Sequence, residues 1–223
     1  MSLHEYKDFV GTLAGICTIL QFFSPAFMCL DFIKAGSTEN ADVMPFIGGL
    51  VLSILFVQNA ILIKDNIMLY VNAFALVLGV IYLVLYFFYT KNKVKFYLKL
   101  SKAAIFIAVI IGYAQRESKD VVQFRFGLIV TFILLALIAS PLISVNEIIK
   151  TKNTSGLPIP LILSGTVVSF LWFLYGVIIG DLFVQVQNVT AFFLNAFQLG
   201  LLGYCKLSKP VKSASVKKSK KSD

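Results

Sequence analysis

Two asparagines and two aromatic residues, each pair separated by the same spacing, are the side chains in this sequence best suited to binding chemistry. Asn72 and Asn188 lie 116 residues apart within apolar stretches, and the same spacing relates Phe56 to Trp172. An amide in hydrocarbon must face protein or water, because its unmet hydrogen bonds are costly there. It also offers a donor and an acceptor without a charge. The amide pair therefore predicts one pocket for a neutral, hydroxyl-bearing solute, with hydrogen bonds between helices as the alternative.

Prolines recur in a similar way. Ser24-Pro25 returns as Ser140-Pro141 at the 116-residue spacing, and Pro45 and Pro158 each precede the second apolar stretch of a copy. Proline removes a backbone donor and kinks a helix interior. All four prolines fall toward the same predicted membrane surface, so we interpret them as hinges. The alternatives are static kinks or ordinary helix-start prolines.

The elements that must position these residues are membrane helices. The 223-residue chain is 58% apolar, well above the usage of soluble proteins. A spanning helix needs about 20 apolar residues, and the uncharged stretches that supply them are 9–30, 43–63, 66–90, 126–146, 153–180 and 182–205. The shorter stretch 103–115 also spans if Lys99 and Lys102 extend to one surface. The sequence predicts an all-α membrane protein with seven transmembrane helices.

Basic residues predict the orientation of these helices. Of the 20 lysines and arginines, 15 fall on one predicted surface and five on the other. Because basic residues accumulate on the cytosolic side, we expect residues 1–8 to be extracellular and the C-terminus to be cytosolic. The basic tail 206–223 is predicted to be disordered and to lie near anionic lipid rather than bind nucleic acid.

The predicted helices divide into three, one and three. The first repeat covers 9–90 and the second covers 116–205, with an unpaired fourth helix in 91–115. Three helices end on the side opposite their start, so a parallel second copy requires one more crossing, which makes the fourth helix an inversion linker. Two parallel repeats around one pocket are typical of alternating-access transporters. A seven-helix receptor is the alternative, but it explains neither the repeat nor the unpaired helix.

The sequence lacks residue patterns typical of catalysis or metal binding, and its predicted membrane helices lack central acidic residues for ion coupling. His4 is the only histidine, and the three cysteines lack metal-ligand spacing. We therefore predict no enzyme, no catalytic residue, no metal and no cofactor. The acidic residues all lie near the ends of predicted helices or outside them, whereas ion-coupled transporters keep an ionisable group within the membrane. This pattern predicts facilitated, gradient-driven transport.

Several motifs in this order resemble the SWEET (saliva/nodulin) family of sugar transporters over residues 8–205. They are the two Ser-Pro pairs, Ile33-Lys34 with Ser37-Thr38-Glu39, Met44-Pro45 and Leu157-Pro158, Trp172 through Gly176, and Val71-Asn72 with Gln187-Asn188. The resemblance implies a sugar uniporter in the plasma membrane, or in an internal membrane such as the Golgi. It makes a mono- or disaccharide the substrate, with glucose first, and leaves a single chain or a homo-oligomer open.

The resemblance also implies roles for residues in the pocket. Asn72 and Asn188 would line it, and Trp172 would stack on the sugar ring. Phe56 stands where many members of the family have tryptophan. The sequence itself adds Thr18 and Gln21, two polar residues one turn apart in helix one, as further candidates for the lining.

Two gates are implied as well. The inner gate would use Pro25, Pro45, Pro141 and Pro158, and the outer gate would use Tyr175 and Asp181. In the first half, Asp65 is the counterpart of Asp181, but Asn59 replaces the expected tyrosine. A related-fold carrier of another solute, such as a proton-coupled amino-acid exporter, remains an alternative, although those carriers typically have Pro-Gln in place of Ser-Pro.

Overall fold

Helices account for nearly all of the structure, a computed structural model that describes residues 3–139, 145–151 and 159–207. Within these ranges the chain forms one short 3-10 helix and nine α-helices, with no strand. The 3-10 helix is Leu3–Tyr6, and the α-helices are α1 Lys7–Gln21, α2 Ser24–Ala35, α3 Met44–Ile63, α4 Asn66–Tyr89, α5 Lys93–Arg116, α6 Lys119–Ala139, α7 Val145–Thr151, α8 Ile159–Ile179 and α9 Leu182–Leu207.

The lengths and composition of these helices fit a multi-pass membrane protein. Among the described residues, five segments are long and apolar enough to cross a bilayer: Lys7–Ala35, which combines α1 and α2, and helices α3, α4, α6 and α8. Helices α5 and α9 have 24 and 26 residues. Both exceed the length of about 20 residues that a spanning helix needs.

The packing of the helices repeats in two halves. Helix α3 packs along α4 as α8 packs along α9, and α1 packs on α4 as α6 packs on α9. The halves meet where α1 packs on α8 and α3 packs on α6. Helix α5, the linker, packs against α3. The four contacts within the halves and the two between them thus form matched pairs, as parallel repeats require.

The turn between the second and third helices is also repeated. Lys64 ends α3 in a left-handed conformation with φ of 57°, and Gly180 ends α8 with φ of 70°. The next residue caps the following helix: a carboxylate oxygen of Asp65 or Asp181 accepts a hydrogen bond from a backbone N–H at 2.9 Å. The two turns therefore set α4 and α9 at matching positions.

Two glycines allow the first helix of each repeat to approach the third closely. A Cβ atom on Gly11 would lie 2.6 Å from side-chain atoms of Ile67 and Tyr175. A Cβ atom on Gly127 would lie 2.6 Å from the Phe183 ring. Gly11 and Gly127 are 116 residues apart, as are Ile67 and Phe183. The close approach is thus a shared property of both halves.

Some helix boundaries differ from those predicted. The first predicted span, 9–30, lies within Lys7–Ala35, but the helix there is divided: α1 ends before Phe22 and α2 begins at Ser24 with Pro25 in its first turn. Proline has no N–H to continue the helical hydrogen bonding. Helices α5 and α6 begin at Lys93 and Lys119, earlier than expected. Charged residues at a membrane surface can continue a helix beyond its apolar part, since their long stems reach water.

Candidate functional site

A cavity of about 550 Å³ lies between the two repeats. This volume is within the range of about 300–1,000 Å³ that is common for small-molecule sites. All six residues predicted to bind substrate line it: Thr18, Gln21, Phe56, Asn72, Trp172 and Asn188. They come from α1, α3, α4, α8 and α9, so both repeats contribute to one site.

The two asparagines adopt the same geometry. Nδ2 of Asn72 donates to the Met68 carbonyl at 2.8 Å, and Nδ2 of Asn188 donates to the Val184 carbonyl at 2.8 Å. Each bond spans one turn of its own helix and fixes the amide orientation. Within the described residues, neither amide makes a hydrogen bond to another helix. The amide oxygen and the second amide proton therefore stay available, which favours a binding role over the alternative of helix-to-helix hydrogen bonds.

Trp172 is held by a bond across the two repeats. Its Nε1 donates to Oγ1 of Thr18 at 2.8 Å, and that hydroxyl donates to the Ala14 carbonyl at 2.7 Å. Both Trp172 and Thr18 are only 8% exposed. The buried indole N–H is thus satisfied by the protein, and α8 is held against α1 at the wall of the cavity.

The repeat-related contact between α3 and α6 lacks both partners of this bond. Phe56, the counterpart of Trp172, has no N–H, and Leu134, the counterpart of Thr18, has no hydroxyl. Both residues line the cavity. The donor and the acceptor are missing together, so neither leaves an unpaired polar group in the wall. The two halves differ at this point in a consistent way.

Five polar residues of the lining were missed by the sequence analysis: Ser53, Ser169, Gln187, Asn195 and Gln198. The two serines are 116 residues apart. Each donates to the carbonyl four residues earlier, at 2.6 and 2.7 Å. The signal for the serines was the repeat spacing, which the sequence analysis applied only to the more distinctive residue types.

The three missed amides lie on α9 with Asn188. Gln187, Asn195 and Gln198 are spaced at about two and three turns, so they share one helix face. Nε2 of Gln187 donates to Oγ1 of Thr131 on α6 at 2.6 Å. That face of α9 was readable in the sequence as a row of amides in an apolar helix. Among the described residues that line the cavity, none carries an ionisable side chain.

A buried contact between the repeats lies near the start of α1. The Tyr175 hydroxyl donates to Oδ2 of Asp65 at 2.6 Å, and Nζ of Lys7 lies 3.7 Å from the same oxygen. Tyr175 is fully buried and Asp65 is 6% exposed. Because Tyr175 lies one turn from Trp172 on α8, this contact lies directly beyond the aromatic end of the cavity.

The structure gives the two residues predicted for the outer gate different surroundings. Tyr175 contacts Asp65 on the α3–α4 turn, across the repeat boundary. Asp181 instead caps α9 through its bond to the Val184 N–H. Its role in gating stays a prediction.

Two of the four predicted gating prolines lie within the described residues. Pro25 is in the first turn of α2 and Pro45 is in the first turn of α3. Each therefore begins a helix rather than kinking a helix interior. Pro141 and Pro158 lie outside the described residues. The proposed gate at this end of the cavity stays a prediction.

The repeats in this chain match a known family twice. The family's sequence profile, described as sugar efflux transporters for intercellular exchange, matches residues 8–94 and again residues 124–210. The second match begins 116 residues after the first, in agreement with the spacing of the asparagine and aromatic pairs. The chain belongs to the SWEET family. Members of this family are transporters and not enzymes, which confirms that prediction.

This SWEET-family chain is similar to curated relatives along most of its length. It is 30% identical over 87% of its residues to "Sugar transporter SWEET1" of Drosophila pseudoobscura pseudoobscura, and it covers 87% of that protein. It is also 30% identical to "Bidirectional sugar transporter SWEET11" of Oryza sativa subsp. japonica, of which it covers 64%. A solved structure of a eukaryotic SWEET transporter matches 92% of the chain with a TM-score of 0.82 and 25% identity. The predicted fold class, seven helices arranged as three, one and three, is thereby confirmed.

Proposed function

We propose that this chain is a facilitative sugar uniporter that works by alternating access. The observation that carries the proposal is a cavity with repeat-related pairs in its walls, Asn72 with Asn188 and Phe56 with Trp172. Amides bind hydroxyl groups through a donor and an acceptor, and aromatic faces suit the C–H faces of a sugar ring. The two relatives described above are both named as sugar transporters, which supports the same substrate class.

The uncharged lining supports a mechanism driven only by the sugar gradient. Coupling to protons or ions normally needs an ionisable group at the site, and the described lining has none. Sugar then moves in either direction as concentrations dictate. The relative from Oryza sativa subsp. japonica carries the word bidirectional in its name, which agrees with this proposal.

Alternating access requires the two ends of the cavity to open in turn. We assign the closed end to the Tyr175–Asp65 contact, which joins the repeats through a bond of 2.6 Å. At the other end, α2 and α3 each begin with a proline in the first turn, Pro25 and Pro45, which interrupts the backbone hydrogen bonding there. Rotation about these starts would open that end while the Tyr175–Asp65 contact holds.

The proposal includes a membrane orientation. The lysine-rich surface faces the cytosol and the start of α1 faces the outside, an arrangement that the 15 to 5 distribution of basic residues supports. We place the chain in the plasma membrane, surrounded by lipid. Because one chain supplies both repeats, one chain is a complete transport unit, and glucose is the first substrate to test.

Glucose flux in vesicles tests this function. Purified protein in liposomes should equilibrate labelled glucose, and Asn72→Ala or Asn188→Ala should slow the flux by about fivefold or more, since stranding a buried hydrogen-bond partner costs about 1–3 kcal/mol. Asn66→Ala is the matched control, because Asn66 is an exposed residue at the start of the same helix as Asn72. Normal flux in both pocket variants would show that these amides do not bind substrate.

A further inference from the structure

A second cavity, of about 570 Å³, lies at the lysine-rich end of the first repeat. Its walls are the loop 38–43 between α2 and α3, the last turn of α4, and the first turns of the linker helix α5. It shares no lining residue with the central cavity. The sugar site does not account for it.

Lysines outnumber carboxylates among the side chains that line this second cavity. Lys91, Lys95 and Lys99 line it together with Glu39 and Asp42. The pair of Lys91 and Glu39, 3.5 Å apart, has both side chains more than 70% exposed, and such surface pairs contribute little. Lys99 donates to Asp42 at 3.0 Å, and this bond holds the pKa of the Asp42 carboxyl below its usual range.

One lysine of the cavity has no ion-pair partner within the described residues. Lys95 makes no ion pair and no side-chain hydrogen bond within the described residues. It lies in the first turn of α5, which begins at Lys93 and has no acidic residue in that turn. The start of a helix carries a partial positive charge, so lysines there are unfavourable unless an anion is close.

Two threonines that are buried as residues add a separate observation through their hydroxyl groups. Thr38 is 5% exposed and Thr90 is 9% exposed, and both line the cavity. Neither hydroxyl has a hydrogen-bond partner within the described part of the chain. Among the described residues only Oδ1 of Asn59 is a fully buried polar atom without a partner, so both threonine hydroxyls are open to the cavity and free to donate there. Both groups lie where a ligand in the cavity would supply acceptors.

We infer that this cavity binds a phosphate group, with Lys91, Lys95 and Lys99 supplying charge and the hydroxyls of Thr38 and Thr90 donating hydrogen bonds. A phosphate monoester has a charge of about −1.5 to −2 and three strong acceptor oxygens, which matches this set of donors. Its source is either a lipid headgroup at the cytosolic surface, where we place this face, or a soluble phosphate. Basic pockets at cytosolic helix ends are suited to phosphorylated lipid headgroups.

The test uses the full chain in nanodiscs of phosphatidylcholine. In one arm, the discs also contain phosphatidylinositol 4-phosphate, and bound lipid is counted by native mass spectrometry. In the other arm, inorganic phosphate or glucose 6-phosphate is titrated by calorimetry. Binding in the lipid arm alone identifies a headgroup site, and binding in the soluble arm identifies a free-phosphate site. Either result supports the inference, and binding in neither arm overturns it.

Matched variants separate a built site from general attraction to a basic surface. Lys95→Gln should weaken binding about fivefold, as expected for one lysine near an anion. Lys102→Gln removes the same charge from the same helix outside the cavity and should leave binding unchanged. Asp42→Asn frees Lys99 and should tighten binding.

The hydroxyl variants address the buried part of the site. Thr38→Val and Thr90→Val should weaken binding without changing the net charge. If these changes unfold the protein, phosphate binding by the Lys95→Gln and Asp42→Asn variants, both at exposed positions, still tests the inference. Equal weakening by Lys95→Gln and Lys102→Gln would overturn the inference, because it would mean diffuse attraction without a site.

Discussion

The hydrogen bond between Trp172 and Thr18 allows a prediction about single residues, namely the effect of removing its acceptor. Thr18→Val keeps the shape of the side chain but removes the acceptor, which leaves the indole N–H buried and unpaired at a cost of about 1–3 kcal/mol. We expect a lower Tm and slower glucose flux. Thr18→Ser keeps the hydroxyl and is the matched control. If the valine and serine variants behave alike, the 2.8 Å bond contributes nothing measurable.

The same reasoning applies to the first half of the cavity. Phe56→Trp introduces an indole N–H where the repeat symmetry places Leu134 instead of a hydroxyl. We expect the single change to lower Tm, and Leu134→Thr to restore it in the double variant because it supplies the acceptor. A double-mutant cycle measures the coupling between the two positions. Additive effects of the two changes would show that positions 56 and 134 do not reproduce the contact of the other half.

Residue types and repeat spacing were enough to predict much of the cavity. Both asparagines, both aromatic residues, Thr18 and Gln21 all line it. The partners of these residues were not predictable. Which hydroxyl accepts from Trp172, and which carboxylate accepts from Tyr175, depends on how the two halves close on one another. Sequence spacing within one half carries no information about that contact.

At the scale of helices, the turns after α3 and α8 offer a comparison within one molecule. Lys64 and Gly180 occupy the same left-handed position, with φ of 57° and 70°. A residue with a Cβ is strained there by about 1–2 kcal/mol, so Lys64→Gly should raise Tm. The reciprocal change, Gly180→Lys, should lower it. Thermal unfolding in one detergent compares both variants. A loss of stability in Lys64→Gly would mean that the lysine makes a contact worth more than the strain.

Helix positions were predictable where composition decides them and less so at their ends. Apolar stretches located α3, α4 and α8 closely. The starts of α5 and α6 were missed because charged residues can continue a helix at a membrane surface. The break at Phe22–Phe23 was readable in principle from Ser24-Pro25. Proline in an apolar stretch is compatible with a kink or with a break, and the neighbouring helices decide between them.

At the scale of the whole molecule, the contact that we propose to close one end of the cavity has no counterpart among the described residues of the other half. Tyr175 reaches Asp65, but its counterpart Asn59 is too short to make the equivalent contact, and Oδ1 of Asn59 is buried without a partner within the described residues. Tyr175→Phe should therefore weaken this closure. We expect a cysteine placed at Ser169 in the cavity to react faster with an impermeant thiol reagent added outside. An unchanged rate relative to the Tyr175 parent would place the outer closure elsewhere.

Energy coupling is the second property of the whole molecule that the structure allows us to predict. The buried carboxylate of Asp65 lies beyond Trp172, bonded to Tyr175 and close to Lys7, and the described lining of the cavity has no ionisable group. With no ionisable side chain beside the proposed sugar site, we expect no link between a proton gradient and sugar movement there. Liposomes with an imposed proton gradient should equilibrate glucose without accumulating it, at the same initial rate as liposomes without the gradient.

Uphill accumulation that a protonophore abolishes would contradict the uniport mechanism, while leaving sugar transport itself intact. The Asn72→Ala and Asn188→Ala variants serve as controls in the same liposomes, because a leak through lipid would be unchanged in them and protein-mediated flux would be slower.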